Sequence, residues 1–83
     1  MNRTRRDIAI EILETSLNGL HKTTIMHNVH LSYDQLTRHL VFLLDLKLLK
    51  HENHLYITTE KGQRYIVLLK KISELERRSR ENE

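Results

Sequence analysis

The chain has 83 residues with a net charge of +3, and it contains no cysteine and no proline. Its length supports a single domain with a thin core, and the lack of cysteine excludes disulfides and thiolate zinc sites. No apolar run approaches the roughly 20 residues that cross a bilayer, and the basic N-terminus leads into acidic residues, so we expect a cytoplasmic protein that is not bound to a membrane.

The first predicted helix runs from Arg5 to about Leu17. Thr4 and Asp7 have the spacing of a capping box, in which the hydroxyl accepts from the Asp7 amide and the carboxylate lies at the positive helix end. Gly19, which follows an asparagine, supplies a left-handed stop. Residues that recur at helical spacing predict a buried stripe on this helix: Ile8, Ile12, Leu13, Ser16 and Leu17.

A short second helix is predicted over residues 24–27, with Thr23 as its N-cap and Asn28, which tolerates a positive φ, closing it. The third helix starts at a second capping box formed by Ser32 and Gln35. Its leucines lie on one helical face: Leu36, Leu40, Leu43 and Leu44.

Two short runs at residues 48–52 and 55–58 flank Asn53 and predict a small hairpin. Thr59 can cap a final helix that runs from Glu60 to about Arg78, and the charged tail beyond it should fray.

This order predicts a mainly α fold with a small β-hairpin, a winged helix-turn-helix with a C-terminal dimerisation helix. Residues 1–60 would form the DNA-binding part and residues 61–83 the C-terminal helix, within one compact domain.

The second helix of a helix-turn-helix enters the major groove, so the third helix should read double-stranded DNA. Arg38 points away from the leucine face, and Gln35 near the helix start can pair with adenine as arginine does with guanine. Asp34 lies on the same face, where it can accept from a cytosine amine, pair with Arg38 or limit non-specific binding. A merely solvated helix face is the alternative. The predicted DNA contacts are Arg5, Arg6, Lys22, Thr23, Ser32, Tyr33, Gln35, Thr37, Arg38, Lys50, His51 and His54.

The last helix carries an a, d, a, d pattern of apolar residues that is typical of helix pairing. Ile72 and Leu75 lie more than two turns beyond the hairpin, where a small core does not reach; a wide core-only face is the alternative. We therefore predict a homodimer, in parallel or antiparallel pairing, through Tyr65, Leu68, Leu69, Ile72 and Leu75.

Three segments, at residues 23–26, 31–36 and 55–62, resemble small archaeal winged-helix proteins, a group of chromatin-associated DNA binders and transcriptional regulators. The resemblance covers residues 4–78. It implies a dimer joined through the C-terminal helix, with two recognition helices that face DNA.

Other functional classes find little support. There is no glycine-rich phosphate loop and no paired-acid motif, so we do not expect an enzyme. The six histidines lack a recognisable ligand spacing, so we expect neither a metal site nor a cofactor. The expected function is sequence-preferring DNA binding by a small transcriptional regulator. The alternatives are an architectural protein of the nucleoid or chromatin, and a protein–protein interaction module in which Val41 and Phe42 contact a partner.

Overall fold

A computed structural model describes residues 2–81 as four helices and a two-stranded antiparallel hairpin. This architecture confirms the predicted mainly α fold with a small β-hairpin, while the role of the last helix in dimerisation stays a prediction. The elements are α1 (Arg5–Thr15), α2 (Lys22–Val29), α3 (Tyr33–Asp45), β1 (Leu49–Glu52), β2 (Leu55–Thr58) and α4 (Glu60–Glu81).

The capping box at the start of α1 forms as predicted. The Asp7 amide donates to Thr4 Oγ1 at 3.0 Å, and the Thr4 amide donates to Asp7 Oδ2 at 2.9 Å. The helix ends at Thr15, two residues earlier than expected, and Gly19 takes a left-handed φ of 87° in the turn that follows. The prediction that Leu17 is buried is wrong: it lies in this turn, off the helical stripe, and is 41% exposed.

The bounds predicted for α2 are also wrong. The helix begins at Lys22, which places Thr23 inside its first turn, and His21 occupies the N-cap position without a side-chain hydrogen bond. At the other end, Asn28 lies within the helix, and its Nδ2 donates to Thr15 Oγ1 on α1 at 2.9 Å. His30, with a φ of 55°, closes the helix instead.

The start of α3 follows the prediction closely. The Gln35 amide donates to Ser32 Oγ at 3.2 Å, and Gln35 Oε1 accepts from the Ser32 amide at 3.1 Å. Three of the four predicted leucines are buried, and Leu44 is half-buried against them. The leucine stripe therefore fixes which side of α3 faces solvent.

The hairpin turns tightly at Asn53 and His54, whose φ values of 50° and 67° are those of a type I′ turn. Thr58 is buried, and its hydroxyl donates to the Leu13 carbonyl at 2.6 Å, which ties β2 to α1. Thr59 Oγ1 accepts from the Gly62 amide at 3.0 Å and so caps α4 as predicted.

The final helix packs beside α1 and runs in the opposite direction. Ion pairs join Lys70 to Glu14 and Arg6 to Glu76, so residues near the end of α1 face earlier residues of α4. The first half of α4 also enters the common core, which is built from Ala9, Ile12, Leu13, Ile25, Val29, Leu36, Leu40, Leu43, Leu48, Leu49, Ile66 and Leu69. Residues 61–81 therefore share a core with residues 2–60.

Helix α4 continues through Glu81, beyond the predicted end near Arg78. Within residues 2–81, no helix combines the length and the apolar character that crossing a membrane requires.

Candidate nucleic-acid interface

Because the leucines of α3 are buried, the opposite side of this helix faces solvent. Tyr33, Arg38, Val41 and Phe42 are all exposed along it. Within residues 2–81, no carboxylate lies within ion-pairing distance of Arg38, so the predicted alternative of a pair with Asp34 does not form. The Arg38 guanidinium is therefore free to donate hydrogen bonds to an external anion or to a base edge.

Lys22, Tyr33 and Thr37 form a cluster that joins the start of α2 to the start of α3. Lys22 Nζ donates to Thr37 Oγ1 at 2.6 Å and lies 3.8 Å from the centroid of the Tyr33 ring. Thr37 Oγ1 in turn donates to the Tyr33 carbonyl at 2.8 Å. The structure thus brings together three predicted contact residues and fixes a cation beside the first turn of α3.

Ser32 and Gln35 are near the exposed end of α3, but both side chains are engaged in the capping box. A bidentate contact to adenine uses the oxygen and the nitrogen of a glutamine amide together. Since Oε1 of Gln35 already accepts from the helix start, that contact would require the capping bond to open or to be shared. The Nε2 group of Gln35 remains the more available donor.

The two neighbouring arginines of α1 diverge. Arg6 Nη1 pairs with Glu76 Oε1 at 2.9 Å, which directs its charge toward α4 and away from α3. Arg5 lines a cleft together with Gln35 and Arg38. Of these two predicted contacts, the structure therefore brings only Arg5 to the exposed face of α3.

Thr23 lies in the first turn of α2 and is exposed. It follows Lys22 directly, so it remains at the end of α2 that approaches α3.

The hairpin carries three predicted contacts. Lys50 Nζ pairs with Glu52 Oε1 at 2.8 Å, but both side chains are more than half exposed, so this surface pair is weak and can open to a phosphate. His51 stacks on its cross-strand partner Tyr56, with ring centroids 4.1 Å apart and planes 7° from parallel. His54 is exposed in the turn. The stack was not predicted, although an aromatic pair across a hairpin is a recognisable sequence signal.

His39 was also missed by the sequence analysis. It is half-buried on α3, and burial together with the nearby charges of Arg5 and Arg38 lowers its pKa. Arg5 and Arg38 line the same cleft as His39, so positive charge converges between α1 and α3. At the outer end of α1, the hydrogen bond from the Thr4 backbone amide lowers the pKa of Asp7.

The apolar stripe on α4 divides into two parts. Leu69 is only 8% exposed and belongs to the core of its own chain, so its predicted place in a dimer interface is not available. Leu68, Ile72 and Leu75 are 57%, 42% and 56% exposed, and Tyr65 is half-buried between the two parts. The exposed part lies to one side of the core-facing surface of α4.

Residues 2–81 contain no group of three or more metal-ligating side chains arranged to hold an ion.

A family model described as winged helix-turn-helix matches residues 2–77, which span all of α1 to β2 and most of α4. No curated protein matches the chain.

Proposed function

Since this chain belongs to the winged helix-turn-helix family, a class of DNA-binding folds, we propose that it is a dimeric transcriptional regulator that prefers particular DNA sequences. The observation that carries the proposal is the outward face of α3, where Arg38 is exposed and has no carboxylate partner among residues 2–81. An unpaired guanidinium on a recognition helix suits the bidentate contact to guanine.

In this proposal the cations divide into two roles. Arg38 reads a base, because it extends from the middle of the exposed face. Lys22 and Lys50 contact phosphates on either side, because they lie on α2 and on the hairpin. Arg5 is a third phosphate contact, whereas Arg6 is not part of the interface because its charge is satisfied by Glu76.

The exposed half of the α4 stripe is the proposed dimer interface, reduced to Tyr65, Leu68, Ile72 and Leu75. These side chains expose apolar area that a second copy of the helix would cover. A dimer places two recognition helices on neighbouring half-sites, so each added contact counts twice. Binding to chromosomal DNA would place the protein at the nucleoid, in the cytoplasm. In this proposal the protein is not an enzyme.

Salt titration tests the DNA-binding part of the proposal. Phosphate neutralisation releases counterions, so affinity for duplex DNA should fall steeply with salt. Lys22→Gln and Lys50→Gln should each weaken binding to all sequences about equally and reduce the salt slope by about one. Arg80→Gln, near the far end of α4, is the control and should leave both quantities unchanged. An affinity that does not respond to salt would contradict the proposal.

An architectural DNA-binding protein is the alternative to a sequence-preferring regulator. Competition between a fragment of the protein's own promoter and random duplex DNA distinguishes the two, because a regulator discriminates and an architectural protein does not. Equal affinity for both would favour the architectural role.

A protein–protein role is the alternative from a different class. It is supported by the exposure of Val41 and Phe42, at 53% and 56%, on the second half of α3. If Val41→Ser and Phe42→Ser abolish function in the cell while DNA affinity in vitro is unchanged, this alternative gains the stronger support.

A further inference from the structure

A cavity of about 480 Å³ lies between α1 and α3. Its floor is apolar, because Ala9 and Leu43 come from the buried core, and the exposed ring of Phe42 forms one wall. Arg5, Gln35, Arg38 and His39 supply its polar lining. The volume is within the range of small-molecule sites, which is roughly 300–1,000 Å³.

The two arginines that line this cavity, Arg5 and Arg38, form no ion pair within residues 2–81. Arg3 and Arg6, on either side of Arg5 in sequence, pair with Glu11 and Glu76, but no carboxylate of residues 2–81 lies within 4.0 Å of the Arg5 guanidinium. Arg38, on the opposite wall, is equally without a partner there. Two like charges that face one cavity repel each other, and a bound anion would relieve that repulsion.

We propose that this cavity binds an amphipathic organic anion, a molecule with one carboxylate, sulfonate or phosphate group on an aromatic or aliphatic body. The guanidinium groups would bind the anionic head through charge-assisted hydrogen bonds. The body would cover Ala9, Leu43 and the Phe42 ring. A DNA phosphate could satisfy the charges but would leave the apolar floor uncovered, which favours a free ligand as the occupant.

This site has a consequence for DNA binding that rests on the proposed function. Arg38 is the proposed base reader and Arg5 is a proposed phosphate contact, so a ligand in the cavity would engage residues that DNA also needs. Ligand and DNA should therefore compete. The existence of the site does not depend on DNA binding, and it is tested without DNA.

The probe is anilinonaphthalene sulfonate, whose fused aromatic rings and single sulfonate match the proposed chemistry. Its affinity is measured by fluorescence and by calorimetry. Arg5→Gln should weaken binding about tenfold, as expected for the loss of one charge-assisted hydrogen bond. Arg64→Gln, which removes an exposed arginine from α4, is the matched control and should have no effect. Equal affinities for the two variants would overturn the proposal.

A second pair of variants tests the apolar contacts between the cavity and the probe. Phe42→Ala should weaken binding of the probe. Val67→Ala, at another exposed apolar position on α4, should not. Phenylnaphthylamine, which has the same rings without the sulfonate, should bind much more weakly. Comparable binding of this neutral analogue would overturn the requirement for an anion.

The probe can also adhere to the exposed stripe on α4, and NMR separates the two locations. Amide shifts that change on titration should cluster at Ala9, His39 and Phe42. Shifts confined to Leu68, Ile72 and Leu75 would overturn the proposed site.

The last measurement is the affinity for DNA in the presence and absence of the probe. Saturating probe should lower the affinity for duplex DNA in the wild type, and less so in Arg5→Gln. A probe that binds in the cavity without affecting DNA affinity would refute the competition. A protein that binds the probe but binds no DNA at all would instead refute the proposed function.

Discussion

Arg38 and Lys22 hold their charges in different surroundings, which predicts different consequences of removing them. Lys22 is fixed by Thr37 and by the Tyr33 ring, so it presents a point charge at a set position. Arg38 is exposed and has a planar fork of donors, which suits recognition of a particular base.

Arg38→Ala should reduce affinity for the preferred sequence by about 1–3 kcal/mol and relax the preference at one base position. The fold should be unaffected because the side chain points away from the leucine stripe. Anisotropy titrations with a set of single-base variants measure both effects. If affinity and base preference are both unchanged, α3 does not read sequence through Arg38.

His39 predicts a pH dependence of stability. Its pKa in the folded state is lowered from 6.5 by burial and by Arg5 and Arg38, so on acidification the unfolded chain takes up a proton before the folded chain does. The contribution to stability is therefore complete above the unfolded-state pKa and falls as the pH drops through it, until the folded-state pKa is reached.

Urea unfolding of the wild type and of His39→Gln, from pH 7.5 down to about pH 5, measures this contribution. The wild type should lose stability relative to the variant as the pH falls. Adding Arg5→Gln to both proteins should reduce the difference, because one of the repelling charges is gone. A constant difference across this range would show that His39 protonates equally in both states.

At the scale of the elements, the contact between α4 and the segment that joins α3 to β1 depends on a residue without a side chain. A Cβ atom on Gly62 would collide with the Leu48 carbonyl oxygen, which itself accepts from the Thr59 amide at 3.0 Å. The close approach lets Thr59 cap α4 while the chain leaving α3 passes beside it.

Gly62→Ala should therefore destabilise the protein by about 1–3 kcal/mol, the usual cost of overpacking. Helix propensity alone favours alanine by about 1 kcal/mol, so the sign of the change decides between the two effects. Gln63→Ala, at the exposed neighbouring position, is the control and should have little effect. Urea unfolding measures both variants, and a stabilised Gly62→Ala protein would show that the backbone can move apart at low cost.

The whole molecule is elongated, with extents of 48 × 27 × 19 Å. The 22 residues of α4 span about 33 Å, which is longer than either of the two shorter extents. Only one side of this helix is covered by α1 and the core, which leaves Leu68, Ile72 and Leu75 exposed.

Replacing both Ile72 and Leu75 with lysine should convert the proposed dimer to a folded monomer. Burial of such a side chain contributes roughly 1.5–3 kcal/mol, and each contact occurs twice in a symmetric dimer. Val67→Lys, at an exposed apolar position outside the a, d stripe, is the matched control and should remain dimeric.

Sedimentation at tens of micromolar measures the association state, and circular dichroism checks the fold. DNA affinity should fall with dimerisation, since two linked half-sites bind better than one. A wild type that sediments as a monomer, or a double variant that stays dimeric, would place the interface elsewhere or remove it.

The sequence by itself determined the features that depend on neighbours along the chain. The capping boxes at Thr4 and Ser32, the leucine face of α3 and the hairpin around Asn53 follow from short spacings, and the structure contains each of them. Their order along the chain was sufficient to predict the fold class, because each element has a distinct periodicity or cap.

Tertiary structure decided the features that depend on distant residues. Asn28 lies inside α2 and hydrogen-bonds to Thr15 of α1 instead of closing the helix, and Arg6 pairs with Glu76, 70 residues away. Leu69 entered the core while Leu68 beside it did not. The local spacing of residues predicts how wide the apolar face of a helix is, but it does not predict which part of that face a neighbouring helix covers. In this protein, the packing of α4 against α1 determines which apolar residues of α4 are buried.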